Sequence, residues 1–320
     1  MKLKLDLTMI AILGSLALGL LLPLDGGAAE VLDVVTKVAI FLLFFGYGAR
    51  LSTEETLAGV RHWKLHLTIL AITFVMYPLL ALPLLGVPEG WMSESIRIGL
   101  LFLCLVPSTV QSSIAFTSLA GGNIPAAMVS ATASNVLGVV LTPLLTMLFI
   151  RSSGGGSIGM QQIYDVMIQL LLPFVLGQLS RFFTAGFMGR HRKGLKYVDQ
   201  GVIVLIVYGA FSDLRASGVW RTLDWVDVAW VVPVTMALLA FTFWFTWRLP
   251  HWLGFNRPDS IAVMFCGTKK SLATGVPMAM VLFPATTVGV IVIPLMLYHQ
   301  VQLLVSSVLA NRLAEGRDHA

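Results

Sequence analysis

Apolar residues run in stretches of about twenty along the whole chain, separated by short polar segments. A helix needs about 20 apolar residues to cross the hydrocarbon core of a bilayer, so each stretch predicts one membrane span. The fold class that this pattern predicts is an all-α polytopic membrane protein with ten transmembrane helices. The predicted spans are at about 8–23, 31–49, 65–86, 97–120, 124–150, 162–183, 197–212, 225–247, 258–283 and 287–310.

A Gly- and Ser-rich segment at 151–159 follows the fifth span and has the composition of a flexible linker. It divides the chain into 1–151 and 161–313, each with five predicted spans. Because five is odd, two similar halves would insert with opposite orientations. The sequence therefore predicts two inverted five-helix repeats, an arrangement typical of secondary transporters.

The fourth span of each half is interrupted at a similar place. Pro107 removes a backbone donor in span 4, and Gly267 and Gly275 loosen span 9. Non-helical backbone at that depth must be buried in protein or line a polar cavity. We therefore predict two broken helices that share one site. The alternative is a simple kink at Pro107, with the nearby hydroxyls bonded back to the preceding turn.

Two adjacent lysines, Lys269 and Lys270, lie in the middle of span 9, where each charge costs at least ~2.5–3.5 kcal/mol. No acidic residue falls near the centre of any predicted span. Each lysine is then either neutral or stabilised by carbonyls, half-helix ends or a bound anion. Lys37 has a simpler explanation, since Asp33 stands four residues earlier and can pair with it.

Polar side chains near the two interruptions complete the predicted site for substrate binding or ion coupling. On span 5 the alternative role is close helix packing, and for His299 it is a buried histidine whose hydrogen bonds are satisfied by its neighbours. Besides the two lysines, the candidates are Gln111, Ser112, Ser113, Ser130, Ser134, Asn135, Thr268, Ser271 and His299.

Composition agrees with a membrane protein, because 57% of residues are apolar and 12% are charged. If the N-terminus is cytoplasmic, 14 of the 21 Lys and Arg residues fall on cytoplasmic segments, so both termini are predicted to be cytoplasmic. The basic residues behind the net charge of +5 are thus explained by membrane orientation, and nucleic-acid binding is not expected. No nucleotide-binding or hydrolase motif is found, which argues against a pump or an enzyme.

Five sequence segments resemble the bile acid:sodium symporter family. The similarity extends over nearly the whole chain and is strongest to its YfeH-like bacterial branch, related to solute carrier family 10 member 7. It implies a panel domain of spans 1, 2, 6 and 7, a core domain of spans 3–5 and 8–10 with broken spans 4 and 9 crossed, and a bacterial inner-membrane location. The segments are 107–123, 141–145, 171–177, 265–273 and 293–300.

The resemblance also implies candidate sodium ligands at Ser112, Ser113 and, on span 5, Ser134. However, the acidic residue that serves the sodium sites in sodium-coupled members falls at about Phe265, and the adjoining amides fall at Lys269 and Lys270. This departure argues against sodium coupling. A lysine ammonium can take the volume and charge of a sodium ion, which leaves proton coupling or uncoupled movement of an anion.

The sequence therefore predicts a secondary transporter that moves a small organic anion by alternating access. It predicts no cofactor other than a sodium ion or proton as coupling ion, and no partner other than the substrate and the lipid bilayer. Oligomeric state does not follow from the sequence. One alternative is a membrane regulatory protein that binds a ligand without moving it. The other is an intramembrane enzyme with a neutral lysine as base and Ser271 as nucleophile.

Overall fold

A computed structural model describes residues 7–50, 62–88, 90–152, 164, 167–222 and 224–315. These residues are mostly helical and include no β-strand. The predicted linker lies outside the described residues, apart from its first two positions at the end of a helix. The same holds for Lys2, Lys4, Arg61 and Arg317, which contribute to the predicted orientation.

Helices occur in all ten predicted segments, and six are long and apolar enough to cross a membrane. The number of ten spans and their inverted repetition stay predictions. The helices are α1 Leu7–Leu21, α2 Gly27–Arg50, α3 Trp63–Leu85 (with a π-helical turn at Ile72–Met76), α4 Glu94–Leu105, α5 Gln111–Leu119, α6 Ile124–Ser152, α7 Leu172–Arg190 (after a π-helical turn at Met167–Leu171), α8 Arg192–Ser217, α9 Trp225–Trp252, α10 Arg257–Gly267, α11 Leu272–Leu282, α12 Ala285–Ile291 and α13 Ile293–Glu315.

The chain divides into two compact units. Unit 1 comprises 1–51, 157–224 and 276–292, and unit 2 comprises 52–156, 225–275 and 293–320. Unit 1 therefore contains α1, α2, α7, α8 and α12, whereas unit 2 contains α3–α6, α9, α10 and α13. Helix α11 begins in unit 2 and continues in unit 1.

Close backbone contact holds α2 against α7 in unit 1. A Cβ atom added at Gly48 would lie 2.0 Å from the Phe174 carbonyl oxygen, and one added at Gly177 would lie 2.0 Å from the Phe45 carbonyl oxygen. Only glycine fits at both positions, and such small residues let membrane helices pack backbone to backbone. A bidentate ion pair joins α2 to α8 in the same unit, because the Arg50 guanidinium donates to both carboxylate oxygens of Asp199, at 2.7 and 2.9 Å.

Side-chain caps set where the helices of unit 2 begin. The Asn123 side chain accepts a hydrogen bond from the Ala126 amide at 3.0 Å and so begins α6. The Asn256 side chain accepts from the Asp259 amide at 2.9 Å and begins α10. A second bond joins the two caps, because the Asn123 amide group donates to the Asp259 carboxylate at 2.7 Å. The starts of α6 and α10 are therefore held together.

Candidate transport site

The first helix break lies between α4 and α5. Helix α4 ends at Leu105, and Val106 adopts an extended conformation at its C-terminus. The cause is local, because Pro107 disfavours helical geometry in the residue before it. Residues 106–110 are not helical, and α5 begins at Gln111. The Pro107 ring packs on α6 beside Gly138, where an added Cβ would lie 2.7 Å from the ring.

The second break lies between α10 and α11. Helix α10 ends at Gly267 and α11 begins at Leu272, so residues 268–271 are not helical. Gly275 was predicted to take part in this break, and that prediction is wrong, because it lies inside α11. Its role is packing: an added Cβ there would lie 2.6 Å from Leu295 and 3.2 Å from Val106.

Hydrogen bonds join the two breaks directly. The Ser271 amide donates to the Pro107 carbonyl at 2.8 Å. In return, the Ser108 hydroxyl donates to the Cys266 carbonyl at 2.6 Å and the Ser113 hydroxyl donates to the Phe265 carbonyl at 3.2 Å. The backbone groups that the breaks release are thus satisfied by the opposite segment, as burial in a membrane requires.

The Lys270 ammonium lies where helix carbonyls are left free. Its Nζ donates to the carbonyl oxygens of Val106 at 2.8 Å, Cys104 at 2.9 Å and Thr73 at 3.3 Å. The first two belong to the C-terminal end of α4, and the third belongs to the π-helical turn of α3. The Tyr77 ring covers the same nitrogen, with its centroid at 3.9 Å. We call these three carbonyls and this ring the carbonyl cradle.

The three N–H groups of a lysine ammonium match the three carbonyls of the cradle. Such oxygens at a helix C-terminus carry partial negative charge and attract cations. Among the described residues, no carboxylate forms a salt bridge with Lys270 or Lys269. From the sequence, a charged lysine could be stabilised by carbonyls, by half-helix ends or by a bound anion. Carbonyls and a half-helix end are found at Lys270.

Lys269 points to a different place. Its ammonium donates to the Gln302 carbonyl at 3.3 Å and to the Ser306 hydroxyl, both on α13. The aromatic rings of Phe116 and Phe265 face it, with centroids at 4.5 and 5.9 Å. Phe265 was expected at the position of the family's acidic residue, and here it offers an aromatic face to a cation.

Helix α13 holds the peptide of Lys270 in place. The Gln302 side chain accepts from the Lys270 amide at 2.9 Å and donates to the Lys270 carbonyl at 2.9 Å. His299 Nδ1 lies 3.2 Å from that carbonyl. The hydroxyls of Tyr77 and Tyr298 donate to the Thr268 carbonyl, two residues earlier, at 3.0 and 2.9 Å.

Helix α6 supports the first break. The Ser134 hydroxyl accepts from the Ser108 amide at 3.0 Å, and the Asn135 side chain donates to the Ser108 carbonyl at 2.6 Å. Ser130 is different, because its hydroxyl pairs with His66 Nδ1 at 2.6 Å. Two of the three predicted residues of span 5 therefore bond to the break, and the third bonds to α3.

Exposure separates the predicted residues into two groups. Gln111 is exposed, and Ser112, Asn135 and His299 are partly exposed. The others are buried, and both lysines have an exposed fraction of 0%. The carbonyl cradle and α13 enclose the two lysines, so neither ammonium lines an open polar crevice in this structure. The buried residues are Ser113, Ser130, Ser134, Thr268, Lys269, Lys270 and Ser271.

Sequence reasoning missed several residues that hold this site together. Thr73, Tyr77, Tyr298, Gln302 and Ser306 all bond to the second break or to its lysines. Gln302 and Ser306 could have been found from the sequence. They are polar residues four and eight positions after Tyr298, so they share its face of an otherwise apolar helix. The Thr73 contact comes from a backbone carbonyl, so its side chain carries no signal.

A model of the SBF-like CPA transporter family matches residues 6–315 of this chain. The chain belongs to this family. The resemblance to bile acid:sodium symporters is thereby confirmed, and the chain is a multi-pass membrane protein of a transporter family. Membership of a transporter family is consistent with the prediction that the chain is not an enzyme.

Relatives within the family cover most of the chain. A putative symporter, YfeH, of Escherichia coli K12 is 44% identical over 295 residues, covering 91% of this chain and 87% of the relative. The sodium/bile acid cotransporter 7 of Danio rerio is 31% identical over 293 residues, covering 89% and 85%. An uncharacterized protein of Pseudomonas aeruginosa is 46% identical over 311 residues, covering 97% and 93%.

Proposed function

We propose that this protein is a secondary transporter for a small organic anion and that it works without sodium. In this proposal, the Lys270 ammonium permanently occupies the place of a coupling cation. The proposal includes alternating access, with unit 1 as the panel domain and unit 2 as the core domain. Two ranges of unit 1, 1–51 and 157–224, hold the predicted panel spans 1, 2, 6 and 7, whereas its third range, 276–292, belongs to the predicted core spans 9 and 10. The location would be the bacterial inner membrane, with both termini cytoplasmic.

The single observation that carries the proposal is the carbonyl cradle around Lys270. In transporters with broken helices, unwound backbone carbonyls and half-helix C-terminal ends coordinate the coupling sodium or proton. The cradle is made of such groups, at 2.8–3.3 Å from the lysine nitrogen. An ammonium held there by its own side chain balances the partial negative charge of the carbonyl oxygens, as a bound sodium ion would. A sodium ion bound at the candidate ligands Ser112, Ser113 and Ser134 is then unnecessary.

The anion would bind near the start of α5 rather than on the lysines themselves. Gln111 and Ser112 are accessible there, and a helix N-terminus favours negative charge. The buried lysines would act at a distance. At an effective dielectric constant of about 20, a unit charge about 7 Å from a carboxylate contributes about 2 kcal/mol. This is a factor of about 30 in affinity.

A thermal-shift screen with carboxylates and sulfonates, in sodium chloride and in choline chloride, would test this function. A bound ligand raises the stability of the folded state by mass action. We expect a subset of anions to stabilise the protein equally in both salts. Anion stabilisation that appears only with sodium would overturn the sodium-independent mechanism.

Variants connect binding to the proposed residues. Lys270→Met should weaken the anion about 30-fold by the estimate above. Lys64→Met is a matched control in the same unit, because Lys64 is exposed at the start of α3. Equal affinity in both variants would remove Lys270 from the mechanism. A counterflow assay with a labelled anion in proteoliposomes would then show whether the protein transports the anion or only binds it.

A further inference from the structure

An ion pair lies on the exposed surface of unit 1, inside predicted span 2. Lys37 Nζ donates to the Asp33 carboxylate at 2.7 Å, and the two side chains have exposed fractions of 61% and 57%. The predicted span begins at residue 31, so at about 1.5 Å per residue Asp33 lies about 3 Å inside it and Lys37 about 9 Å inside it. Lys37 is therefore placed within a hydrocarbon layer about 30 Å thick, and Asp33 lies near the edge of that layer.

The exposed surface of α2 has a charged edge and an apolar edge. The charged edge consists of Glu30, Asp33 and Lys37, which are spaced three and four residues apart and so share a helix face. We call it the charged flank. The opposite edge, the apolar flank, is turned by about 140° from it, and the exposed side chains of Val34 and Phe41 lie between the two. The apolar flank consists of Val31, Val35, Val38 and Leu42, which are also exposed.

A third carboxylate lies on α8 of the same unit. Asp213 is within electrostatic range of Asp33. It is partly exposed and lies four residues before the end of α8 at Ser217. Asp33, Lys37 and Asp213 are all ionisable, and a lipid environment solvates ionisable groups poorly. Charged residues within spans face protein or water-filled cavities.

We propose that the charged flank of α2 lines a water-filled crevice that reaches at least as deep as Lys37, whereas the apolar flank faces lipid. The occupant of the crevice is water with its dissolved ions. This crevice is proposed from residues of unit 1 alone. Under the proposed function a transported anion would move along the same wall, but cysteine labelling does not depend on that movement.

Cysteine labelling tests the two flanks separately. The native chain has two cysteines, Cys104 and Cys266, both buried, so the background reaction is low. Lys37→Cys and Val38→Cys are a matched pair, because the native side chains are similarly exposed in unit 1, with an exposed fraction of 54% for Val38. Each variant is reconstituted in liposomes and treated with a charged, membrane-impermeant maleimide. Labelling after denaturation measures the total amount of cysteine thiol in each variant, to which the labelled fraction is referred.

We expect Lys37→Cys to react at least tenfold faster than Val38→Cys. Asp33→Cys is a second charged-flank variant for the case in which loss of Lys37 prevents insertion, and it should also react fast. Slow reaction of both charged-flank variants would mean that lipid or a second copy of the chain covers this flank, which overturns the proposal. Equally fast reaction of Val38→Cys would overturn the division into two flanks. Neither result would affect the proposed role of Lys270.

Discussion

Removal of the Lys270 side chain should make this protein sensitive to sodium. In Lys270→Ala the carbonyl oxygens of Thr73, Cys104 and Val106 lose their shared donor. A buried acceptor left unpaired costs about 1–3 kcal/mol. Three such losses at the low end of that range give a destabilisation of about 3 kcal/mol. Part of this destabilisation is offset, because the variant no longer buries a charged group that would be better solvated by water.

Sodium should recover part of this loss, because the empty cradle offers carbonyl ligands and space for a cation. A ligand at ten times its Kd stabilises the folded state by about 1.4 kcal/mol, from RT ln 11. The assay is thermal unfolding of the reconstituted or detergent-solubilised protein, titrated with sodium chloride against choline chloride at constant ionic strength. The native protein should show no sodium-specific shift, since Lys270 fills the cradle.

Lys269→Ala is the matched control, because its ammonium contacts one carbonyl and one hydroxyl rather than three carbonyls. It should respond to sodium less than Lys270→Ala. If Lys270→Ala does not fold, Lys270→Gln keeps one amide donor in the cradle and should still show a sodium response. Sodium stabilisation of the native protein, or the same response from both alanine variants, would refute the idea of a tethered cation.

Two further substitutions test the supports of the breaks. Gly138→Leu should destabilise the protein by about 1–3 kcal/mol, because its Cβ would lie 2.7 Å from the Pro107 ring; Gly14→Leu, with no atom within 4 Å of the added Cβ, should be close to neutral in the same thermal unfolding assay. Gln302→Leu should cost about 1–3 kcal/mol, because the buried Lys270 amide loses its acceptor, and chemical denaturation of the two proteins would measure the difference.

The elements and the positions of the breaks were predictable because their causes are local. Runs of apolar residues indicate membrane helices whatever they pack against, and the break after Leu105 follows from Pro107 two residues later. Gly275 shows the limit of this reasoning. A glycine inside a span is compatible with a break or with close packing, and Leu295 and Val106, distant in sequence, decide for packing.

The partners of the lysines could not be predicted for a different reason. The Lys270 acceptors are backbone carbonyls of α3 and α4, 164 to 197 residues away along the chain. Every residue has such a carbonyl, so no side-chain pattern marks the ones that a break exposes. The sequence showed that two cations needed stabilisation inside the membrane. The contact between the two breaks determines which groups provide it.

A tethered cation also changes the electrical character of transport. In the proposed mechanism the Lys270 ammonium would return with the empty carrier and move no net charge, whereas a coupling sodium ion would leave with each turnover. If no proton accompanies the anion, each turnover therefore moves one negative charge. A membrane potential of 100 mV then changes the driving force by about 2.3 kcal/mol, which is about 50-fold in the equilibrium ratio of anion concentrations.

Proteoliposomes with a potassium gradient and valinomycin would measure this effect. For a monovalent anion that the thermal-shift screen identifies, we expect an inside-positive potential to increase the accumulated anion and an inside-negative potential to decrease it. Electroneutral symport with one proton would instead give accumulation that follows the pH gradient and ignores the potential. That result would keep Lys270 as a fixed cation in the cradle but would assign coupling to a separate protonatable group.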